Sequence, residues 1–273
     1  MHPLARHHRQ GMNTSNITPV VLTYNEAPNI RRCLEKLSWA QRVVVVDSIS
    51  TDDTGQLVSE FPNAELMVRR FDNHTAQWNH GVDQVQSPWV LSLDADYILT
   101  DALIEELRAL QPPDDVDAYF VSFRYCIEGH PLRACLYPPR TALFRKSRCR
   151  YVQDGHTQLL EVPGKTVHLT APIDHDDRKP LSRWFASQDK YALLEMEKLL
   201  AADPVKLRMQ DKLRLKMIYA PIVTLIYTLF VRAVIFDGWR GWYYAFQRIV
   251  AEVMLSLRLL ETKIKRIREK CKR

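Results

Sequence analysis

In the stretch VVVVDSISTDDT, residues 43–54, four valines stand directly before an acidic, hydroxyl-rich run. Consecutive β-branched residues suit a strand buried on both faces, because a strand with one wet face would alternate apolar with polar. Working outward, comparable runs appear at Pro19-Val20-Val21-Leu22, Glu65-Leu66-Met67-Val68 and Trp89-Val90-Leu91-Ser92-Leu93, about every 23 residues. Between them lie stripes of helical spacing. Ile30, Leu34 and Leu37 follow Pro28-Asn29; Leu57, Val58 and Phe61 form a second stripe; Leu103, Leu107 and Leu110 follow a Thr100-Asp101 cap. The alternation predicts an α/β fold, a mostly parallel sheet flanked by helices, with ligands at the C-terminal ends of the strands.

Composition narrows the function classes. With 46% hydrophobic and 26% charged residues in 273, the chain can bury a substantial core, and only 8 glycines exclude collagen-like or linker architectures. The net charge is +6, yet residues 262–273 hold seven Lys/Arg and one Glu, so the rest is neutral. A body that wraps nucleic acid is excluded; a basic tail remains. Five cysteines, odd in number and without CxxC spacing, argue against a disulfide framework or structural zinc and for a reducing compartment. Residues 1–16 carry no apolar signal core and are expected to be a disordered leader.

The C-terminal half differs in character. Residues 118–170 combine a strand (Ala118–Tyr125), Pro-containing loops and short apolar pieces such as Thr141–Phe144, which predicts a mixed β extension. From Pro180 the pattern is helical. MIYAPIVTLIYTLFVRAVIF (217–236) is strongly apolar, but its clean stretch falls short of the roughly 20 residues a bilayer span needs. An aromatic, glycine-bearing turn is expected over residues 237–244, then a second apolar helix over Ala245–Leu260. The domains read as 17–179 for the α/β body and 180–273 for a helical appendage.

Three polar clusters follow predicted strands. Thr23-Tyr24-Asn25-Glu26 stands where a dinucleotide fold or a P-loop would need glycines, and neither motif is present. Asp47 precedes the turn that Ser50–Thr54 can cap, so capping does not account for it; a carboxylate there can accept from a base or ribose. In Leu93-Asp94-Ala95-Asp96 the two carboxylates, two apart in extended chain, project to one side. They can face one hard cation, with substrate phosphates completing its shell.

Together, VVLTYNEAPNIRRCLEKL (20–37), VVVVDSISTDDT (43–54), AQWNHG (76–81) and WVLSLDADYIL (89–99) resemble the family-two glycosyltransferases of the GT-A fold. The likeness covers roughly residues 17–125 and continues loosely over 140–200, where it is similar to bacterial enzymes of lipopolysaccharide-core and surface-polysaccharide assembly. It implies that Thr23, Tyr24, Asn25 and Glu26 line the nucleotide and that Asp47 contacts the base, usually uracil. It also implies that Gln77 and Asn79 lie near the nucleotide or donor sugar, that Asp94 contacts ribose or sugar, and that Asp96 holds Mg²⁺ or Mn²⁺ on the diphosphate. Ile49 departs from the family, which often has glycine there.

The resemblance further implies a base carboxylate in the later region. Asp154, in Gln153-Asp154-Gly155-His156-Thr157-Gln158, is the best match and Glu161 the second; a structural Asp in a polar turn is the plain alternative. His175, in Asp174-His175-Asp176-Asp177-Arg178-Lys179, can complete the metal shell, as a late histidine does in several GT-A enzymes. Arg178 or Lys179 can neutralise a departing diphosphate, or the run is simply a charged helix start before Pro180. Trp184 can stack on a sugar or belong to the core.

Trp239, Trp242, Tyr243, Tyr244 and the basic tail suit a membrane interface, against a buried hairpin or dimer contact. The reading is therefore a metal-dependent glycosyltransferase, inverting by what the resemblance implies. Its expected donor is a nucleotide sugar, UDP-linked by resemblance, and its expected acceptor a lipid-linked saccharide. The expected place is the cytoplasmic face of the bacterial inner membrane, reached through a membrane-associating helical appendage, with a role in envelope glycan synthesis. The alternatives are a nucleotidyltransferase, which would show a glycine-rich phosphate loop, and a non-catalytic scaffold, which would not turn over a donor.

Overall fold

A computed structural model describes residues 14–154, 157–205 and 207–270. Of the expected leader only Thr14–Asn16, a single 3-10 turn, lies within them. His156 and the last three residues of the basic tail lie outside. The described chain separates into two compact units, one holding the residues up to 128 together with 137–178, the other 129–136 with 179–273.

The first unit opens with β1 (Ile17–Thr23), α1 (Ile30–Glu35), β2 (Val43–Asp47), α2 (Thr54–Ser59), β3 (Ala64–Val68), α3 (His74–Asp83) and β4 (Trp89–Asp94). There follow β5 (Tyr97–Leu99), α4 (Asp101–Ala109), β6 (Val116–Val121) and β7 (Phe123–Ile127). After β8 (His130–Pro131), which belongs to the second unit, come β9 (Arg140–Arg145), β10 (Arg150–Asp154), β11 (Thr157–Glu161), β12 (Lys165–His168) and β13 (Ile173–His175).

Seven strands form one sheet in the order β12-β6-β9-β4-β1-β2-β3, and β9 alone runs against the others. The four valines of β2 are wholly buried, as a strand covered by helices on both faces requires. Val43 and Val45 join one core cluster with Ile30, Leu34 and Leu37 of the first helical stripe; Val44 and Val46 join the other, with Trp78 and Val82 of α3. The cap of α4 is as read, Thr100 Oγ1 accepting from Leu103 N at 3.2 Å. Chain order reverses across β1, with β2 on one side and β4 on the other. That switch point places a crevice beyond the strand ends. The run 118–125 is not one strand. It breaks at Ser122, after which β7 leaves the main sheet to pair with β13, itself paired with β5.

The second unit holds α5 (Leu181–Ala201), α6 (Met209–Leu215), α7 (Tyr219–Ile226) and α8 (Trp239–Lys270). The apolar segment 217–236 is not one helix. Met217 and Ala233 take left-handed φ of 50° and 57°, and α7 passes into a π-helical turn over Tyr227–Val231 and a 3-10 turn over Val234–Asp237. The turn expected over 237–244 sits earlier, ending at Gly238 (φ 61°). The aromatics Trp239, Trp242, Tyr243 and Tyr244 fall within α8. Gly241 permits that geometry, since a Cβ there would lie 1.8 Å from the Val234 carbonyl oxygen. Residues 129–136, read from sequence as part of the α/β body, group here: Arg133 N donates to Asp237 Oδ2 at 3.0 Å and Leu136 N to the Tyr244 hydroxyl at 2.8 Å. Among the described residues no helix is long and apolar enough to cross a membrane.

Candidate active site

Parallel pairing brings the three polar clusters to one rim. Thr23 is in register with Asp47 and Leu22 with Asp94, so the backbones of the two aspartates flank the end of β1, about 10 Å apart at two strand spacings. Asp47 is 3% exposed and accepts three hydrogen bonds. These come from Thr23 Oγ1 at 2.7 Å, Ser50 N at 2.7 Å and Ser50 Oγ at 2.5 Å. Asn25, at φ 54°, bridges the two loops: its N–H donates to Ser50 Oγ at 2.7 Å, and its Oδ1 accepts from Thr51 N at 2.7 Å. Glu26 N donates to Thr54 Oγ1 at 2.8 Å. Tyr24, on the same rim, is 51% exposed.

The second focus is Asp94, Asp96 and His175. β13 lies beside β5 with His175 opposite Tyr97, and His175 Nε2 comes 3.2 Å from Asp96 Oδ2. Rings of Tyr97, Tyr125 and Tyr137 surround the imidazole at 5.4, 5.1 and 5.0 Å, and the Tyr97 and Tyr137 hydroxyls meet at 2.6 Å. Arg140 lies over Tyr137 at 4.8 Å. Burial and the neighbouring Asp96 raise the Asp94 pKa, against the opposing pull of Arg140 and the Tyr97 hydroxyl. Burial alone would lower the His175 pKa, but the charge and hydrogen bond of Asp96, with the charges of Asp177 and Asp94, together carry the net direction up. Two carboxylates that disfavour each other's charge therefore stand beside an imidazole. Among the described residues no three His, Cys, Asp or Glu side chains are arranged to hold a metal unaided.

A buried polar clamp holds β13 in place. Asn29, fully buried, donates to Glu26 Oε2 at 2.8 Å and Asp177 Oδ1 at 2.9 Å; its Oδ1 accepts from Arg178 N at 2.8 Å and Arg32 at 2.9 Å. Arg32 grips Asp176 at 2.6 Å, and Asp176 N donates to the Asp96 carbonyl at 3.0 Å. Arg32→Ala leaves the nearly buried Asp176 with Arg178 as its remaining guanidinium partner. It is expected to cost about 1–3 kcal/mol in urea unfolding. A loss under about 0.5 kcal/mol would show that the clamp carries no weight.

The family model for glycosyl transferase family 2 matches residues 19–168, more than half the chain. The chain belongs to glycosyltransferase family 2. Its first unit is the α/β GT-A arrangement expected of that family. It is similar to the lipopolysaccharide core biosynthesis glycosyltransferase LpsC of Rhizobium meliloti (strain 1021), 29% identical over 119 residues, which is 42% of this chain and 44% of LpsC. It is also similar to the SPbeta prophage-derived glycosyltransferase SunS of Bacillus subtilis (strain 168), 31% identical over 87 residues, covering 31% of this chain and 21% of SunS. These matches span less than half the length of either relative. Among solved structures, S. aureus TarS 1–349 in complex with UDP-GlcNAc aligns over 90% of this chain and 92% of that one, at 14% identity and a TM-score of 0.48.

Several family-implied residues hold protein partners of their own. Gln77 is 0% exposed; its amide donates to Ser48 Oγ at 3.0 Å and accepts from Arg69 at 2.6 Å, so it braces the loop that follows Asp47. Asn79 uses both amide ends on the Tyr151 backbone, at 2.9 and 3.2 Å, and thereby fixes β10. Arg178 is engaged with Asp176 and Glu128. Lys179 and Trp184 belong to the second unit, where Trp184 is half-buried against Phe185 at 5.2 Å.

The β10–β11 hairpin runs along α3. Thr75, at the helix end nearest the rim, donates to Gln153 at 2.9 Å, whereas Asp83, at the far end, pairs with Arg150 at 3.0 Å. The backbone of Asp154 therefore lies at the rim end of the hairpin. Glu161, opposite Arg150, lies at the other end, about 13 Å along the strand. The side chain of Asp154 is outside the described set. Sequence reading missed Asn29, Arg32, Tyr97, Tyr137, Arg140 and Asp176. Tyr97 and Asp176 carried a signal, the first directly following the DxD and the second directly following His175; the others converge from distant segments.

Proposed function

We propose that this glycosyltransferase moves a sugar from a UDP-linked donor to a saccharide on a lipid-linked acceptor, with inversion, in bacterial envelope glycan synthesis. The observation that supports the reading is that Asp94, Asp96 and His175 gather beyond the strand ends of a family-two sheet, with Asp47 at the end of β2 on the same edge. The acceptor hydroxyl attacks the anomeric carbon, the bond from that carbon to the diphosphate oxygen breaks, and the hydroxyl proton passes to Asp154. Thr23, Tyr24, Asn25 and Glu26 shape the nucleotide pocket, and Asp94 orients the ribose or sugar. Asp96 and His175 hold the divalent cation, which when bound stabilises charge on the leaving diphosphate. The relative named for lipopolysaccharide core synthesis supports the envelope role.

The test is thermal. UDP at 100 times its Kd stabilises a protein by about 2.7 kcal/mol. Its thermal midpoint should rise by several degrees with Mn²⁺ or Mg²⁺ present, and by much less in chelator. No shift with any uridine nucleotide or nucleotide sugar, with or without metal, would remove the donor assignment.

We place the enzyme on the cytoplasmic membrane surface. Ile218, Tyr219, Ile222, Ile226 and Phe230 of the α7 segment are exposed, as are Trp239, Phe246, Leu257, Ile264 and Ile267 along α8, beside the lysines and arginines near its end. An apolar face flanked by cations suits an in-plane lipid contact. Ile222→Asp with Phe230→Asp, both on exposed positions, is expected to weaken sedimentation with anionic phospholipid vesicles more than tenfold. Unchanged binding would discard the assignment.

A further inference from the structure

Ile49 is a β-branched residue at φ 64°, in the left-handed region that glycine enters freely and isoleucine rarely. The conformation is imposed by its surroundings. Ser48 N donates to the Thr23 carbonyl at 2.9 Å, Ser50 N to Asp47 Oδ1 at 2.7 Å, and Thr51 N to Asn25 Oδ1 at 2.7 Å. Whatever residue stands at position 49 must adopt this backbone. The strain is not repaid by packing, since the side chain is 52% exposed, on the rim that carries Asp47 and the exposed Tyr24. A strained, outward-facing apolar residue at a ligand rim points to a contact made only when the ligand is present.

We propose that the Ile49 side chain is a specificity-determining contact that packs against the heterocyclic base of the nucleoside diphosphate. The inference rests on the glycosyltransferase reading and adds to it the side chain of Ile49. Backbone strain falls on stability, whereas apolar contact falls on ligand affinity. The two are therefore expected to move in opposite directions when the side chain is removed.

The experiment compares the full-length protein with Ile49→Gly, Ile49→Asn and Ile49→Val. It measures thermal midpoints, together with calorimetric titration of UDP and of inorganic pyrophosphate in the presence of Mn²⁺. Gly and Asn, which tolerate the left-handed region, are expected to hold or raise the midpoint, by up to about 3 °C. They should weaken UDP binding about 3- to 10-fold, the scale of losing a partly buried aliphatic contact. Pyrophosphate, which has no base, should bind all variants alike, and Val should keep UDP affinity within about twofold of the parent. Equal UDP affinity in the Gly variant, parallel loss of UDP and pyrophosphate, or a midpoint that falls by more than about 3 °C would overturn the assignment. Failure of the parent itself to bind either ligand would remove the donor reading and this contact with it.

Discussion

Asp96→Asn is expected to lower the turnover of glycosyl transfer by about 10²–10³-fold or more, the scale of losing one electrostatic stabiliser of a developing charge. The side chain is largely enclosed, and its Oδ2 lies 3.2 Å from His175 Nε2. Asparagine keeps the volume and a hydrogen-bonding oxygen but removes the negative charge a divalent cation requires. The fold should survive, because the backbone carbonyl that receives Asp176 N is untouched. The expected signature is a nearly unchanged thermal midpoint without ligand, and loss of the metal-dependent part of the shift produced by UDP. Turnover within about threefold of the parent, with metal dependence retained, would show that the cation is held elsewhere.

Asp154→Asn is expected to reduce turnover by about 10²–10⁴-fold while donor affinity stays the same, since a general base acts on the acceptor proton and not on UDP binding. Glu161→Gln should leave turnover near the parent value. The hairpin register makes this contrast sharp, because Asp154 pairs with Thr157 at the rim end whereas Glu161 pairs with Arg150 beside the far end of α3. A large loss in Glu161→Gln with full activity in Asp154→Asn would reverse the assignment and require the hairpin to sit differently in the working enzyme.

Much of the site was legible because it is local to strand ends. Asp47, Asp94 and Asp96 each follow an apolar run, and parallel pairing carries consecutive strand ends to the same edge. Gln77 and Asn79 show the limit of that reasoning. Their motif places them beside the nucleotide loop, yet whether an amide faces ligand or scaffold depends on what packs against α3. Here Ser48, Arg69 and the Tyr151 backbone take up those amides. The apolar segment 217–236 is a second example. Hydropathy marks it as apolar throughout, but the left-handed residues at its two ends and the π-helical turn within it arise from packing that no window average contains.

The amino-acid order alone determined the α/β class, the three acidic or polar strand ends and the apolar, basic character of the C-terminal region. Each follows from periodicity and residue chemistry over a few neighbours. Only the tertiary structure decided that His175, 79 residues beyond Asp96, closes on it, that Asn29 and Arg32 clamp the strand delivering it, and that Ile49 is held at positive φ. Those facts are contacts between remote segments. Their partners are chosen by the sheet order and the loops that cross it, and sequence separation carries no record of either.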